Sequence, residues 1–231
     1  MVTAGTLPVA ARYDGHADWY DSWARSAGSS FITDAQRTLA EFLPEDPGLA
    51  IDLGCGTGLH AHVVRDHGFP VFGVDYSADQ LRHARARLPV LRADARAVPL
   101  ASGCARLVFS ILTHTDLDGF DRLVSEAVRL LAPGGVFIYV GVHPCFINPF
   151  AEYLPDGVRL HPGYRDSGWQ APTPFTGNAV RHRVGVHHLT LERLLTSFLT
   201  PYARLDRIAE RRGSAVPEIL AVRLTRLPYT M

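Results

Sequence analysis

The chain has 231 residues, 47% of them apolar and 20% charged, a balance that supports a buried core and excludes a disordered, collagen-like or membrane-spanning protein. Acidic and basic residues number 23 each, so the net charge is zero and the electrostatic footprint of a nucleic-acid binder is missing. Every basic residue is arginine, which reads as the coding bias of a GC-rich genome and removes any mechanism that needs a lysine.

Residues 1–12 read as a loose tail. From Asp14 to Leu43 the spacing predicts helices, with Trp19, Trp23 and Ala27 on one stripe and Ala35, Leu39 and Phe42 on another. After Pro44 and Pro47-Gly48 an alternation begins. Leu49–Leu53 is a short buried strand, and Gly58–His67 a helix stopped by Gly68. Val71–Asp75 is a second strand. Ser77 caps the next helix, with Gln80 completing a capping box. Val90–Ala93 and Arg106–Ile111 are the third and fourth strands. A helix over about 119–131 carries Phe120, Leu123, Val124 and Ala127 at helical spacing, and Pro133-Gly134-Gly135 ends it. Val136–Val142 is apolar throughout, as in a central strand covered on both faces. Strands alternating with helices imply a parallel sheet with right-handed crossovers.

Residues 143–188 are rich in Pro, Gly, His and aromatics and show no periodicity, which points to a lid or binding segment. A helix over Thr190–Leu199 and closing strands over Tyr202–Arg211 and Glu218–Arg226 follow. Cys55, Cys104 and Cys145 are too scattered for a zinc site or a disulfide framework, so no metal is expected. No signal segment precedes the fold and no apolar run is long enough to span a bilayer, so a cytoplasmic protein with no membrane contact is expected.

The strongest chemical signal is Ile51-Asp52-Leu53-Gly54-Cys55-Gly56-Thr57-Gly58, a glycine loop at a strand-to-helix junction. Such a loop brings backbone close to a ligand and offers free helix N–H groups. The spacing is G-x-G-x-G rather than the dinucleotide G-x-G-x-x-G. Asp52, two positions before the first glycine, suits an ammonium group better than a pyrophosphate. Asp75, ending the second strand, sits where a carboxylate accepts from ribose hydroxyls. Asp94 follows the third strand, within reach of an adenine amino group. An amino-acid end, a ribose and an adenine together describe S-adenosylmethionine.

Asp52–Gly58, Gly73-Val74-Asp75-Tyr76-Ser77, Ala93-Asp94-Ala95 and Leu130–Gly135, in that order, resemble the class I S-adenosylmethionine-dependent methyltransferases over about residues 13–142. More narrowly, His143-Pro144-Cys145-Phe146 and Arg183–Leu189 are similar to small-molecule methyltransferases of bacterial specialised metabolism. The resemblance implies an α/β, Rossmann-like, seven-stranded and mostly parallel sheet with helices on both faces and the last strand antiparallel. It implies one domain over 1–231: a helical cover at 13–43, a cofactor-binding core at 48–142, a lid at 143–188 and closing elements at 189–226. Gly54, Cys55, Gly56 and Gly58 would hold the methionine end, with Asp52 near its ammonium. Asp75 and Tyr76 would flank the ribose, and Asp94 and Ala95 the adenine. Ser110 or Leu112 would face the cofactor, with Tyr13 and Tyr20 covering its methionine side.

Ser110-Ile111-Leu112-Thr113-His114 lacks the Asn/Asp-Pro-Pro-aromatic run of enzymes that methylate base or glutamine nitrogens. The expected acceptor is therefore a small molecule. His143 and His114 follow strand ends and are the candidate bases, first and second, with Asp116 close enough to orient His114 or to act itself. Phe146, Tyr164, Trp169 and His187 are candidate acceptor contacts. Methyl transfer to a hydroxyl oxygen is the expected activity. Transfer to nitrogen or carbon remains open, as does a cyclase or isomerase that keeps S-adenosylmethionine intact. A monomer or homodimer is expected.

Overall fold

The computed structural model describes residues 11–175, 179–213 and 215–228. Residues 1–10 of the expected tail and 176–178 of the expected lid lie outside them. Two helices come first, α1 (Ala17–Arg25) and α2 (Ser29–Phe42). Then follow β1 (Ala50–Leu53), α3 (Ala61–Asp66), β2 (Val71–Asp75), α4 (Ala78–Ala84), β3 (Val90–Arg92), β4 (Ala105–Ile111), α5 (Phe120–Leu130) and β5 (Leu131–Val142). The lid segment forms β6 (Ala151–Leu154), β7 (Gly157–Leu160), β8 (Gly168–Gln170), α6 (Ala179–Val184) and β9 (Val186–His188). The chain closes with α7 (Leu191–Thr196), β10 (Ala203–Arg211) and β11 (Ile219–Arg226).

The main sheet has seven strands in the order β10-β11-β5-β4-β1-β2-β3. The pairs among β1 to β5 are parallel, and β11 runs antiparallel to both neighbours. β5 shows why the sheet is buried on both faces. Val136, Ile138 and Val140 pack with Ala35, Leu39 and Phe42 of α2, while Phe137 and Tyr139 pack with Phe120 and Leu123 of α5 and with Phe198. Successive side chains point to opposite faces of a strand, so a continuous apolar run is what two helical layers demand.

The departures from expectation have local causes. The helix after the glycine loop shrinks to α3 because Gly58 holds φ +78° and the chain turns there before it can wind. β5 begins at Leu131 rather than Val136, since its early residues already pair with β4 across a register shift. The α1 stripe stops at Arg25, leaving Ala27 in the turn before α2. The 143–188 segment is not plain loop: β6 and β7 form an antiparallel hairpin, and β8 pairs antiparallel with β9. Strands of three or four residues are too short to leave a periodic signal.

α1 is held to the core electrostatically. Asp21 is buried on α1 and receives Arg87 Nη1 at 2.7 Å. Arg25 pairs with the same carboxylate from one turn on. Among the described residues no helix is long and apolar enough to cross a membrane.

Gly58 is fixed by packing as well as by backbone. A Cβ there would lie 2.6 Å from Leu88 Cδ2 and 3.3 Å from Ala84 Cα. Gly58→Ala should therefore lower stability by ~1–3 kcal/mol through left-handed strain and overpacking, read as a lower melting temperature; an unchanged melting temperature would contradict this packing.

Candidate active site

A cavity of about 1030 Å³ opens over the carboxyl ends of the parallel strands. Its floor on one side is the glycine loop. Gly54 and Gly56 line it, and a Cβ on Gly56 would meet nothing closer than Gln80 Oε1 at 3.7 Å. That glycine therefore presents bare backbone to open space. Asp75 lines the cavity beside it. Its Oδ2 accepts from the Gly56 amide at 2.8 Å and its Oδ1 from the Ser77 amide at 2.8 Å. Burial pushes this carboxyl up to about 6, against the pull of those amides.

Tyr76, Asp94 and Ala95 also line the cavity. Asp94 is forked by Arg96, with Nη2 to Oδ2 at 2.6 Å and Nε to Oδ1 at 2.9 Å, and those hydrogen bonds hold its carboxyl below the usual range. Tyr13 and Tyr20 line the opposite wall, their rings edge to face at 5.3 Å.

Several expected contacts lie elsewhere. Asp52, Cys55, Gly58 and Ser110 do not line the cavity. Ser110 is fully buried; it donates to the Leu53 carbonyl at 2.7 Å and meets Thr113 Oγ1 at 2.6 Å, which ties β4 to β1. Cys55 packs beneath the loop, where a Cβ on Gly73 would lie 2.8 Å from its Sγ. Asp52 is buried behind the loop. Burial and the nearby Asp75 raise its carboxyl well above the ordinary range.

The two histidines expected as bases are corrected by the geometry. Leu112 adopts φ +61°, and this left-handed turn after β4 brings Leu112, Thr113, Thr115 and Asp116 to the cavity wall. His114 is packed behind that wall: Nδ1 lies 2.6 Å from the Tyr139 hydroxyl and the ring stands edge-on to Phe120. Burial lowers its pKa to about 3. His143 is 2% exposed and off the cavity. Its Nε2 donates to Glu210 at 2.9 Å and its Nδ1 accepts from the Cys145 amide at 3.2 Å, so both nitrogens are committed.

On the lid side, Phe146 and Trp169 line the cavity as expected. Tyr164 and His187 do not. The Tyr164 hydroxyl accepts from the Leu191 amide at 2.8 Å and anchors the lid to α7. His187 is buried with its ring edge-on to Trp169, and Nε2 is 3.4 Å from Asp118.

Two cavity groups escaped the sequence. Arg181 of α6 donates Nη1 to Asp116 Oδ1 at 2.6 Å and Nη2 to Thr115 Oγ1 at 2.6 Å, and the Tyr13 hydroxyl donates to the same Asp116 oxygen at 3.3 Å. Burial raises the Asp116 carboxyl, with Arg181 opposing the shift. Nothing local in the sequence pairs positions 116 and 181. Gln80 is the second. Its amide donates to Ser77 Oγ, but its own Oε1 is buried without a partner, so only half of the expected capping box forms.

A methyltransferase-domain family model matches residues 51–139. A malonyl-[acyl-carrier protein] O-methyltransferase of Methylococcus capsulatus is 31% identical over 224 residues, 93% of this chain and 70% of that protein. A dTDP-3-amino-3,4,6-trideoxy-alpha-D-glucopyranose N,N-dimethyltransferase of Streptomyces venezuelae is 30% identical over 79% of this chain and 84% of its own. In fold, an S-adenosylmethionine-dependent methyltransferase from Mesorhizobium loti superposes with a TM-score of 0.68 at 24% identity, covering 83% of this chain and 98% of that one. Two other curated relatives are matched over only 51% and 37% of their lengths. The chain belongs to the S-adenosylmethionine-dependent methyltransferase family.

The site fits that cofactor. Gln80 lines the cavity beside the glycine loop, and its Oε1 is a buried acceptor without a partner, which a donor such as an ammonium would satisfy. Gly56 leaves open space beside the loop, and Asp75, Asp94 and Ala95 line the cavity, so these are the residues that would hold the methionine end, the ribose and the adenine.

Acidification gives a test. Asp75 accepts best when ionised, and protonation near pH 6 removes that capacity. Affinity for S-adenosylhomocysteine should fall as pH drops from 7.5 to 5, and Asp75→Asn should flatten this dependence while binding more weakly throughout. Calorimetry showing the same slope in both proteins would exclude Asp75 as the titrating group. His143→Gln should keep kcat within about threefold, because an amide can both donate to Glu210 and accept from the Cys145 amide, whereas loss of a general base costs ~10²–10⁴-fold. A loss in that range would return His143 to the chemistry.

Proposed function

We propose that the protein transfers a methyl group from S-adenosylmethionine to a hydroxyl oxygen of a small-molecule acceptor held under the lid, with Asp116 taking the proton. The observation that carries this reading is the Asp116 carboxylate, partly buried in the cavity wall just beyond β4 and held by Tyr13 and Arg181. It replaces the two histidines as the proton acceptor.

Bound at the glycine loop, the cofactor supplies a methyl group already activated on a sulfonium. The chain's own tasks are alignment, exclusion of water and removal of one proton. Alignment supplies ~7–11 kcal/mol in favourable cases. Tyr13 and Trp169 close the cavity from the N-terminal segment and from the lid. Tyr13 and Arg181 both bind Asp116 Oδ1, so the carboxylate is oriented, and Oδ2, which carries neither bond, is the atom that receives the proton. Burial makes that carboxylate more basic than one in water, and Arg181 keeps it ionised.

The names of the relatives support oxygen and nitrogen acceptors alike. Oxygen is preferred here because a neutral amine can react without a base, whereas a hydroxyl must lose its proton. Incubation with trideuteromethyl cofactor and an acceptor panel, read by mass spectrometry, should give products that gain one labelled methyl on oxygen. Asp116→Asn should lower kcat by ~10²–10⁴-fold with little change in S-adenosylhomocysteine affinity, and wild-type kcat should decline on acidification as Asp116 protonates. Undiminished kcat in Asp116→Asn would favour an acceptor that needs no base, such as a carboxylate or a neutral amine. A transformed acceptor without the label would favour a cyclisation or isomerisation.

A further inference from the structure

The cavity does not end where a methyl group would be delivered. The sheet order runs β3, β2, β1, β4, β5, β11, β10, and the same cavity is lined by Asp94 after β3 and by Arg212 and Glu218 in the β10–β11 turn. Adjacent strands lie ~4.8 Å apart, so two to three spacings, or ~10–14 Å, separate the end of β4 from that turn. A volume of about 1030 Å³ stands at the upper end of ligand clefts, ~300–1,000 Å³.

The walls of this outer half are apolar. Ile111 and Val142 close the strand ends, Phe146, Ile147 and Pro149 descend from the lid, and Phe31 rises from α2. Beyond Asn148, whose amide is taken up by lid backbone, polar groups return at the far end. There Arg212 Nε binds Glu218 Oε2 at 2.6 Å, Nη1 pairs with Asp34, Nη2 reaches Ser30 Oγ at 3.3 Å, and the guanidinium lies 5.3 Å from the Phe31 ring centre. The Tyr153 hydroxyl belongs to the same end, pushed up to about 12 by burial and by the Glu218 charge. Arg212 holds φ +56°. Among the described residues it and Leu112 are the two non-glycine positions with a left-handed backbone, and both line this cavity. Strain of this kind persists where the surroundings hold it, most often at binding sites.

We propose that the acceptor is an elongated, mainly apolar molecule with a hydrogen-bond donor at the end remote from the methylated oxygen, and that Glu218, positioned by Arg212, reads that donor with Tyr153. The inference rests on the proposed methyl transfer, because it takes the methyl-receiving end to lie beside Asp116. Asp34 is shared by Arg212 and Arg37, so the cations of the far end are already neutralised and hold no free anion, while the Glu218 carboxylate offers an acceptor to a hydroxyl or an amine. The polar side chain of the middle, Asn148, is committed to the Pro144 and Cys145 carbonyls and the Phe150 amide, which leaves little there for a compact hydrophilic acceptor.

The test uses the whole protein with a series of probes: phenol, 4-alkylphenols of increasing chain length, and the same chains ending in a hydroxyl. Methylation is read as labelled product, and binding is read separately by calorimetry with S-adenosylhomocysteine present. The expected result is a rise of at least tenfold in kcat/KM from phenol to the long chains, with a further gain of about fivefold from the terminal hydroxyl. Glu218→Gln should erase the terminal-hydroxyl gain, expressed as a ratio within the variant. Its S-adenosylhomocysteine affinity checks that the fold is intact. Arg212→Gly, which suits the left-handed backbone, should erase the same ratio. Tight, length-dependent binding without methylation would overturn the proposed reaction and leave the elongated site standing. Methylation that ignores chain length, a hydroxyl ratio that survives in Glu218→Gln, or a failure of every probe to bind would overturn the inference.

Discussion

One partly buried ion pair holds the cavity together. Arg181 comes from the lid, Asp116 from the turn after β4, and Tyr13 from the segment before α1, so three distant parts of the chain meet on one carboxylate. Removing one partner leaves a partly desolvated charge uncompensated, at less than the ~3–5 kcal/mol of a fully buried pair. The lid contributes few long-range apolar contacts of its own beyond Val180, Val184 and Val186, so its placement leans on this polar junction and on Tyr164. The charge that locates the lid is also the charge proposed to take a proton. Position and chemistry are therefore not separable at Asp116, which is why Asp116→Asn rather than Asp116→Ala is the informative change.

The sheet could be read from the sequence because its cause is local. Each central strand is a short apolar run bounded by a glycine or proline break, and β5 alternates its side chains between two helical layers. The placement of the glycine loop, Asp75 and Asp94 at the cavity is legible for the same reason, since it follows from standing at a strand end. The histidines misled because strand-end position alone does not fix where a side chain points. The left-handed Leu112 re-aims everything after it, and nothing in Ser110-Ile111-Leu112-Thr113-His114 announces a positive φ at a leucine. Arg181 is invisible because its partner Asp116 lies 65 positions away, and because Arg181 itself sits in the segment between β8 and β9, whose pairing leaves no periodic trace.

The glycine loop divides its work. Gly56 faces ligand space, whereas Gly58 is pressed against Leu88 and Ala84 and serves the packing of α4. The carboxylates divide in a similar way. Asp75 keeps two backbone amides and still faces the cavity, while Asp52 stays behind the loop, where burial and Asp75 favour its neutral form.

The segment before α1 is fastened at both ends. Asp14 receives Ser77 Oγ at 2.5 Å, and Asp79 receives the Gly15 amide at 2.9 Å, both on the α4 side. Across the cavity Arg12 donates to the Val184 carbonyl at 3.3 Å and lies 3.5 Å over the Trp169 ring. On the proposed reading cofactor and acceptor share this one clasp, so releasing either spent molecule by that route would mean undoing contacts that also confine the other, and the two departures would be coupled in time.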